Sequence, residues 1–252
     1  MRKLLATLAV AVLPMVSASA AGFQDCPQFF VKGASPKLLS EHPGAQRELC
    51  FDAFAVKHSG VSKTPIFVAE RLNRAQLLNA RDEERTDKFY EEARLPTSDR
   101  SRLGDYKAGL ILADNSKFSV DRGHMAPAAD MPTAAAMAQS FSLSNMVPQA
   151  PTNNRKVWAG IEKDTRKYVM RSGGNVYVFT GPHYEGQVAG VGPGQVWYPT
   201  HLFKLVYDES LNRAWAHWIA NTNEARASRP ISYEELVRRT GIDFLPGIKP
   251  AS

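Results

Sequence analysis

Cysteine is nearly absent: two residues in a chain of 252, far too few for a miniprotein held together by disulfides. No apolar stretch is long enough to cross a bilayer, which takes about 20 residues. The longest, residues 4–16, stops short of that length. No HExxH, GxSxG or P-loop string occurs, which argues against a zincin protease, an α/β-hydrolase and a P-loop nucleotide enzyme. Repeats of 20–50 residues are not evident, and neither sign of charge dominates, with 31 Lys+Arg against 25 Asp+Glu. What remains is an ordinary globular composition, 44% hydrophobic and 22% charged. A chain of this length can bury roughly 70–75% of its unfolded surface. It needs no metal merely to fold, so any metal it holds serves a function.

The N-terminus has its own logic. Arg2 and Lys3 precede the apolar run, and Ser17-Ala18-Ser19-Ala20 follows it, the order of a basic region, a short hydrophobic region and a small-residue cleavage site. Residues 1–20 read as a secretory signal peptide, leaving 21–252 as one domain of a periplasmic or secreted protein with no membrane contact after cleavage. The remainder carries 29 Lys+Arg against 25 Asp+Glu, a formal charge of +4. That excess permits a polyanionic partner without requiring one. Cys26 and Cys50 both lie in the exported part, where an oxidising compartment favours a disulfide that pins the N-terminal segment, residues 21–60. Two buried free thiols are the alternative.

Residues 65–69 form the first convincing strand. The run 81–94 holds six acids and four bases and reads as a solvated surface segment. VYVFT at 176–180, stopped by Gly181-Pro182, is a buried strand. Residues 201–207 and 215–220 form a hairpin around a turn at 208–212. Residues 133–137 read as a short connecting helix without chemistry. Ser232 and Glu235 predict a capping box, with Gly241 ending the helix. The most regular helix covers about 154–170, and Asn154, Trp158, Glu162 and Arg166 make one slowly turning stripe at i+4 steps. By itself that stripe is a surface feature with a Glu–Arg pair. Strands interspersed with isolated helices indicate an α+β fold built on a mixed or antiparallel sheet.

At the centre stands Asp121-Arg122-Gly123-His124. In an extended segment Arg122 and His124 point to one side, placing a permanent cation beside a titratable base. Gly123 between them would let a ligand approach the backbone. Arginine's planar fork suits phosphate, and histidine suits activation of water. Without further context, a surface salt bridge and a structural histidine account for the same string. His42, His58, His183, His201 and His217 receive that structural reading.

The DRGH string together with Asn154, Trp158 and Glu162 resembles the paired signature of the DNA/RNA non-specific endonucleases, the ββα-metal nucleases. Similarity extends through residues 144–149, 178–182, 199–204 and 232–244, most of residues 65–245. The resemblance implies a ββα-metal active site in which His124 is the general base and Asn154 the direct protein ligand of a divalent cation. Glu162 and Asp121 would support the hydrated cation, and Arg122 and Arg166 would face the phosphate. It also implies an upstream arginine, for which Arg85 is the choice and Arg74, Arg81 and Arg94 are alternatives. The cation would be Mg²⁺, or Mn²⁺ or another divalent ion, since a neutral oxygen ligand with retained waters suits a hard metal. The expected activity is Mg²⁺-dependent hydrolysis of DNA and RNA with little sequence preference, leaving 5′-phosphate and 3′-hydroxyl ends. A homodimer and a protein inhibitor are further partners compatible with the resemblance. Two other readings compete: a catalytically silent nucleic-acid binder of the same fold, and a Cu(I) binder using Met125, Met131, Met137 and Met146.

Overall fold

The computed structural model describes residues 22–111 and 116–251. The expected signal peptide lies outside them. Six strands form one antiparallel sheet: β1 (Gln46–Cys50), β2 (Phe54–Ser59), β3 (Thr64–Leu72), β6 (Val176–His183), β7 (His201–Asp208) and β8 (Arg213–Ala220). Their order is β8-β7-β6-β3-β2-β1. Two further strands, β4 (Asp121–His124) and β5 (Met146–Gln149), pair with each other outside it. The helices are α1 (Arg74–Asn79), α2 (Leu103–Ala108), α3 (Ala134–Ser140), α4 (Ala159–Val169) and α5 (Tyr233–Thr240). The fold is α+β on an antiparallel sheet, as the sequence predicts.

Both faces of the sheet are covered. Strand side chains alternate between faces, so Phe67, Phe179, Phe203 and Leu205 pack against Phe29, Phe30, Leu236 and Phe244 from the chain's two ends. The opposite face presents Val56, Val68, Leu202 and Ile219 to Met125, Met131, Met137, Phe141, Trp158 and Ile161. Of the methionines proposed as copper ligands, Met125, Met131 and Met137 are buried in this apolar cluster and Met146 in a neighbouring one, filling irregular space.

Several sequence expectations change in detail. The N-terminal segment is more ordered than expected, because β1 and β2 precede the strand around residue 65. They belong to the sheet that long-range pairing builds. Cys26 and Cys50 form a disulfide with Cα atoms 5.9 Å apart, fastening residues near Phe23 to the β1 edge. Gly181 and Pro182 do not stop β6, which continues to His183. Gly181 is needed there, since a Cβ would crowd the Ile66 carbonyl and the Phe203 ring. Ser232 caps α5 by accepting from the Glu235 N–H, but the Glu235 carboxylate turns to Arg238 and Arg239 instead of closing the box. Gly241 ends that helix in the left-handed region. Thr133 caps α3.

The helix carrying Asn154 departs most from expectation. Its Asn153–Trp158 portion is a π-helical turn leading into α4. A π turn is wider than an α turn, so the predicted i+4 stripe does not hold through it. Trp158 swings fully inward, 1% exposed, while Asn154 stays half-buried.

Candidate active site

Strand β4, strand β5 and the helix through α4 make a ββα unit. Alternation along β4 divides the motif. Asp121 faces the helix, where its Oδ2 accepts from Asn154 Nδ2 at 2.9 Å. Both its oxygens also accept from Arg155, at 2.8 and 2.7 Å. Arg122 and His124 point the other way, toward the Phe89 ring: the Arg122 guanidinium lies 4.0 Å from its centroid and the imidazole 5.7 Å. Gly123 is required for a different reason than ligand approach, because the space a side chain would occupy is filled by Gln149.

His124 completes an aromatic triangle: Phe141 lies 4.9 Å away, and Phe89 and Phe141 are themselves edge-to-face at 4.9 Å. Its Nε2 is buried without a hydrogen-bond partner, which leaves Nδ1 as the ring nitrogen able to meet solvent. Burial, reinforced by the Arg85 and Arg122 cations, pushes its pKa down to about 3. The imidazole is therefore neutral at physiological pH, the protonation state a general base requires before it acts.

The four upstream arginines part company. Arg85 pairs with the exposed Asp87 at 2.6 Å, places its guanidinium 4.9 Å from the Phe141 centroid, and its charge is felt by both His124 and Glu162. Arg94 is bound to Glu92, and Arg74 donates to the Met170 carbonyl. Arg81 joins Arg85, Lys163, Arg166 and Lys167 along a groove of about 450 Å³. The predicted solvated run 81–94 is thus largely exposed, yet it lends Arg85 and Phe89 to the site and buries Glu92.

On α4, Glu162 is half-buried. Desolvation raises its pKa to about 7, against the lowering effects of Lys204, Arg166 and Arg85 and with Asp130 adding to the rise. Arg166 is anchored to the buried Asp130, 3.0 Å away, so part of its charge is committed within the protein.

Side-chain oxygens in the ββα unit come from Asn154 and Asp121, joined at 2.9 Å, and from Glu162 further along the same helix. Among the described residues no group of three or more His, Cys, Asp or Glu is placed to cage a metal. A cation held through a neutral amide oxygen would take its remaining ligands from water and phosphate, as hard divalent cations do. The Asn154 amide fits that role: its nitrogen is committed to Asp121, and its carbonyl oxygen is the atom left to ligate.

Sequence reasoning missed Arg155, Phe89, Phe141, Gln149, Asp130, Glu70 and Lys204 as neighbours of this site. Only Lys204 carried a visible signal, a lysine inside the apolar strand LFKLV.

The model of the DNA/RNA non-specific endonuclease family matches residues 36–251. The chain belongs to that family. It is 32% identical over 216 residues to a nuclease of Nostoc sp., covering 78% of this chain and 72% of that one. It is 29% identical over 226 residues to human mitochondrial endonuclease G, covering 82% and 72%. Among solved structures, a chain of the EndoG/EndoGI complex, described as showing the mechanism of EndoG inhibition, superposes with a TM-score of 0.67 at 24% identity. That alignment covers 82% of this chain and 89% of the other, and shows the shared fold. The family's ββα unit is the one formed here by β4, β5 and α4, and the activity is that of a nuclease.

Proposed function

We propose that this nuclease is an exported, divalent-metal-dependent endonuclease that hydrolyses DNA and RNA with little sequence preference and leaves 5′-phosphate and 3′-hydroxyl ends. Its catalytic domain would span residues 21–252 behind the signal peptide. The observation that carries the reading is the neutral, partnerless His124 imidazole beside Arg85 and Arg122, across the ββα unit from Asn154 and Asp121.

In this reading His124 Nδ1 takes the proton of a water attacking phosphorus. Arg122, Arg85 and Arg166 bind the phosphate oxygens and offset the charge that grows in the transition state. Asn154 and the Glu162 carboxylate would hold a hydrated Mg²⁺, or Mn²⁺ in its place, with Asp121 fixing the Asn154 amide. The cation supplies Lewis-acid stabilisation of the phosphate and leaving oxygens. Contacts confined to sugar and phosphate carry no base information, which accounts for weak sequence preference. The disulfide and the residue 1–20 pattern support export to the periplasm or beyond. A homodimer, and a protein inhibitor like the one named for the structural neighbour, belong to the same proposal.

The test is cleavage of supercoiled plasmid and single-stranded RNA by the mature protein with Mg²⁺, with EDTA, and by His124→Ala at matched folding. Cutting should need the metal and fall about 10²- to 10⁴-fold in the variant. Binding of both substrates without cleavage under any divalent metal would instead make the chain a silent binder.

A further inference from the structure

Asp121 holds the Asn154 amide through one N–H···O bond at 2.9 Å. A carboxylate gripped at one point can still turn about its Cβ–Cγ bond, a torsion with broad wells. Its plane must be fixed before it can fix anything else. Arg122, its neighbour on β4, is turned to the other face of the strand, over Phe89. Arg155 supplies the second grip. Its Nε donates to Asp121 Oδ2 at 2.8 Å and its Nη2 to Oδ1 at 2.7 Å, the parallel fork in which a planar guanidinium matches both oxygens of a carboxylate. Among the described residues Arg155 is the one cation within 4.0 Å of that carboxylate.

This pair differs from the exposed ion pairs elsewhere on the surface. Lys167–Asp164 and Arg238–Glu235 join neighbours on one helix, whereas Arg155 reaches 34 positions back along the chain, from the helix to β4. The Arg155 side chain is 71% exposed and that of Asp121 only 15%. An ion pair so open to water on one side adds little to stability, so its two-point geometry serves orientation more than folding. Asn154 and Arg155 are consecutive in the π turn Asn153–Trp158. Consecutive side chains diverge by about 100° around an α-helix and by less around the wider π turn, and here both converge on one carboxylate. Of a carboxylate's roughly four acceptor positions, Arg155 takes two and Asn154 a third.

We propose that Arg155 is a positioning residue for Asn154, acting through Asp121: its fork fixes the plane of the carboxylate, the carboxylate holds the amide nitrogen, and the amide oxygen is thereby aimed. This rests on the role assigned to Asn154 above. A lysine at position 155 would keep the charge but lose the fork, since an ammonium donates as a point charge. The same guanidinium used as a contact to substrate phosphate would act on binding and leave Asn154 unaffected, so the two roles separate by experiment.

The experiment has two readouts, and the first needs neither metal nor substrate. In metal-free ¹⁵N-labelled protein the Asn154 side-chain amide, assigned with Asn154→Asp, is followed by NMR for exchange of its hydrogens with water. Arg155→Ala should speed that exchange about fivefold, the factor that loss of one ordinary hydrogen bond represents, and Arg155→Lys should do much the same. In an Asp121→Ala background Arg155→Ala should add nothing, because the two residues act in one chain. The second readout is cleavage with Mg²⁺. Arg155→Ala should lose about 10- to 100-fold in kcat, as removal of a partner behind a metal ligand does, while KM for plasmid stays within about twofold and the salt slope of binding is unchanged. Unchanged amide exchange in Arg155→Ala, or full recovery in Arg155→Lys, would overturn the proposal. So would a raised KM and a salt slope lower by about one with kcat intact, the signature of a phosphate contact. If the wild type cleaves nothing, the functional reading fails while the amide exchange still decides the role of Arg155.

Discussion

Asn154 donates its amide hydrogen to Asp121 at 2.9 Å and so turns its carbonyl oxygen away from that carboxylate. The pair is an orienting device: a neutral amide has a donor end and an acceptor end, and fixing one end aims the other. Asn154→Asp removes the donor and sets two carboxylates face to face. It should cut Mg²⁺-dependent plasmid nicking by about 100-fold or more, comparable to losing a preorganised catalytic contact, although the new side chain is a stronger metal ligand. Activity equal to wild type would mean that Asp121 does not orient residue 154.

Stability should depend on pH in two opposing ways. Glu162 is raised from 4.5 to about 7, so its contribution is present below pH 4.5 and is lost as pH rises through 7. His124 is lowered from 6.5 to about 3, so its contribution is present above pH 6.5 and is lost as pH falls toward 3. In EDTA, Glu162→Gln should therefore gain on wild type between pH 5 and pH 8, by about 1–3 kcal/mol. Thermal melts at both values measure this, and a constant difference would contradict it.

Phe89 and Phe141 each touch the imidazole and one arginine, Arg122 and Arg85 respectively. Phe141→Leu should keep the apolar volume roughly filled but release both His124 and Arg85. A cation–π contact is worth about 0.5–2 kcal/mol, so the expected loss in kcat/KM is about 3- to 30-fold. Circular dichroism should remain that of wild type.

Reduction of the Cys26–Cys50 disulfide should destabilise the protein by about 3 kcal/mol in the chain-entropy model. Nuclease activity below the melting transition should persist, because the bridge joins the N-terminal segment to the β1 edge, away from β4 and α4. A Cys26→Ser, Cys50→Ser protein compared by denaturant titration gives the value.

Binding should weaken steeply with salt, because Arg85, Arg122, Lys163, Arg166 and Lys167 would displace counterions from phosphate. The slope of log K against log[salt], measured with Ca²⁺ replacing Mg²⁺, should fall by about one for each of these residues that contacts a phosphate when it is changed to alanine.

Much of this site is written in two short segments. Strand alternation through Asp121–His124 already places Arg122 and His124 on one side and Asp121 on the other, and Asn154 and Glu162 follow on a single helix. Family, fold class and the main catalytic candidates are legible for that reason: the geometry within each segment is local. The hairpin at 201–220, the helix cap at Ser232 and the Cys26–Cys50 pairing are local or compositional in the same sense.

Other features depend on contacts that no spacing announces. Arg85 is favoured over Arg74, Arg81 and Arg94 because the fold brings its charge within reach of His124 and Glu162. The π turn at Asn153–Trp158, with Trp158 buried at its end, is announced by no spacing in the sequence. Lys204, Thr180 and Glu70 meet because three strands distant in sequence lie side by side, and cross-strand neighbours share a face whatever their separation along the chain. The amino-acid sequence thus sets which groups can do chemistry. Their burial, and with it the neutral His124 and the raised Glu162, exists only once the sheet has closed over them, because desolvation belongs to the assembled interior and to no residue alone.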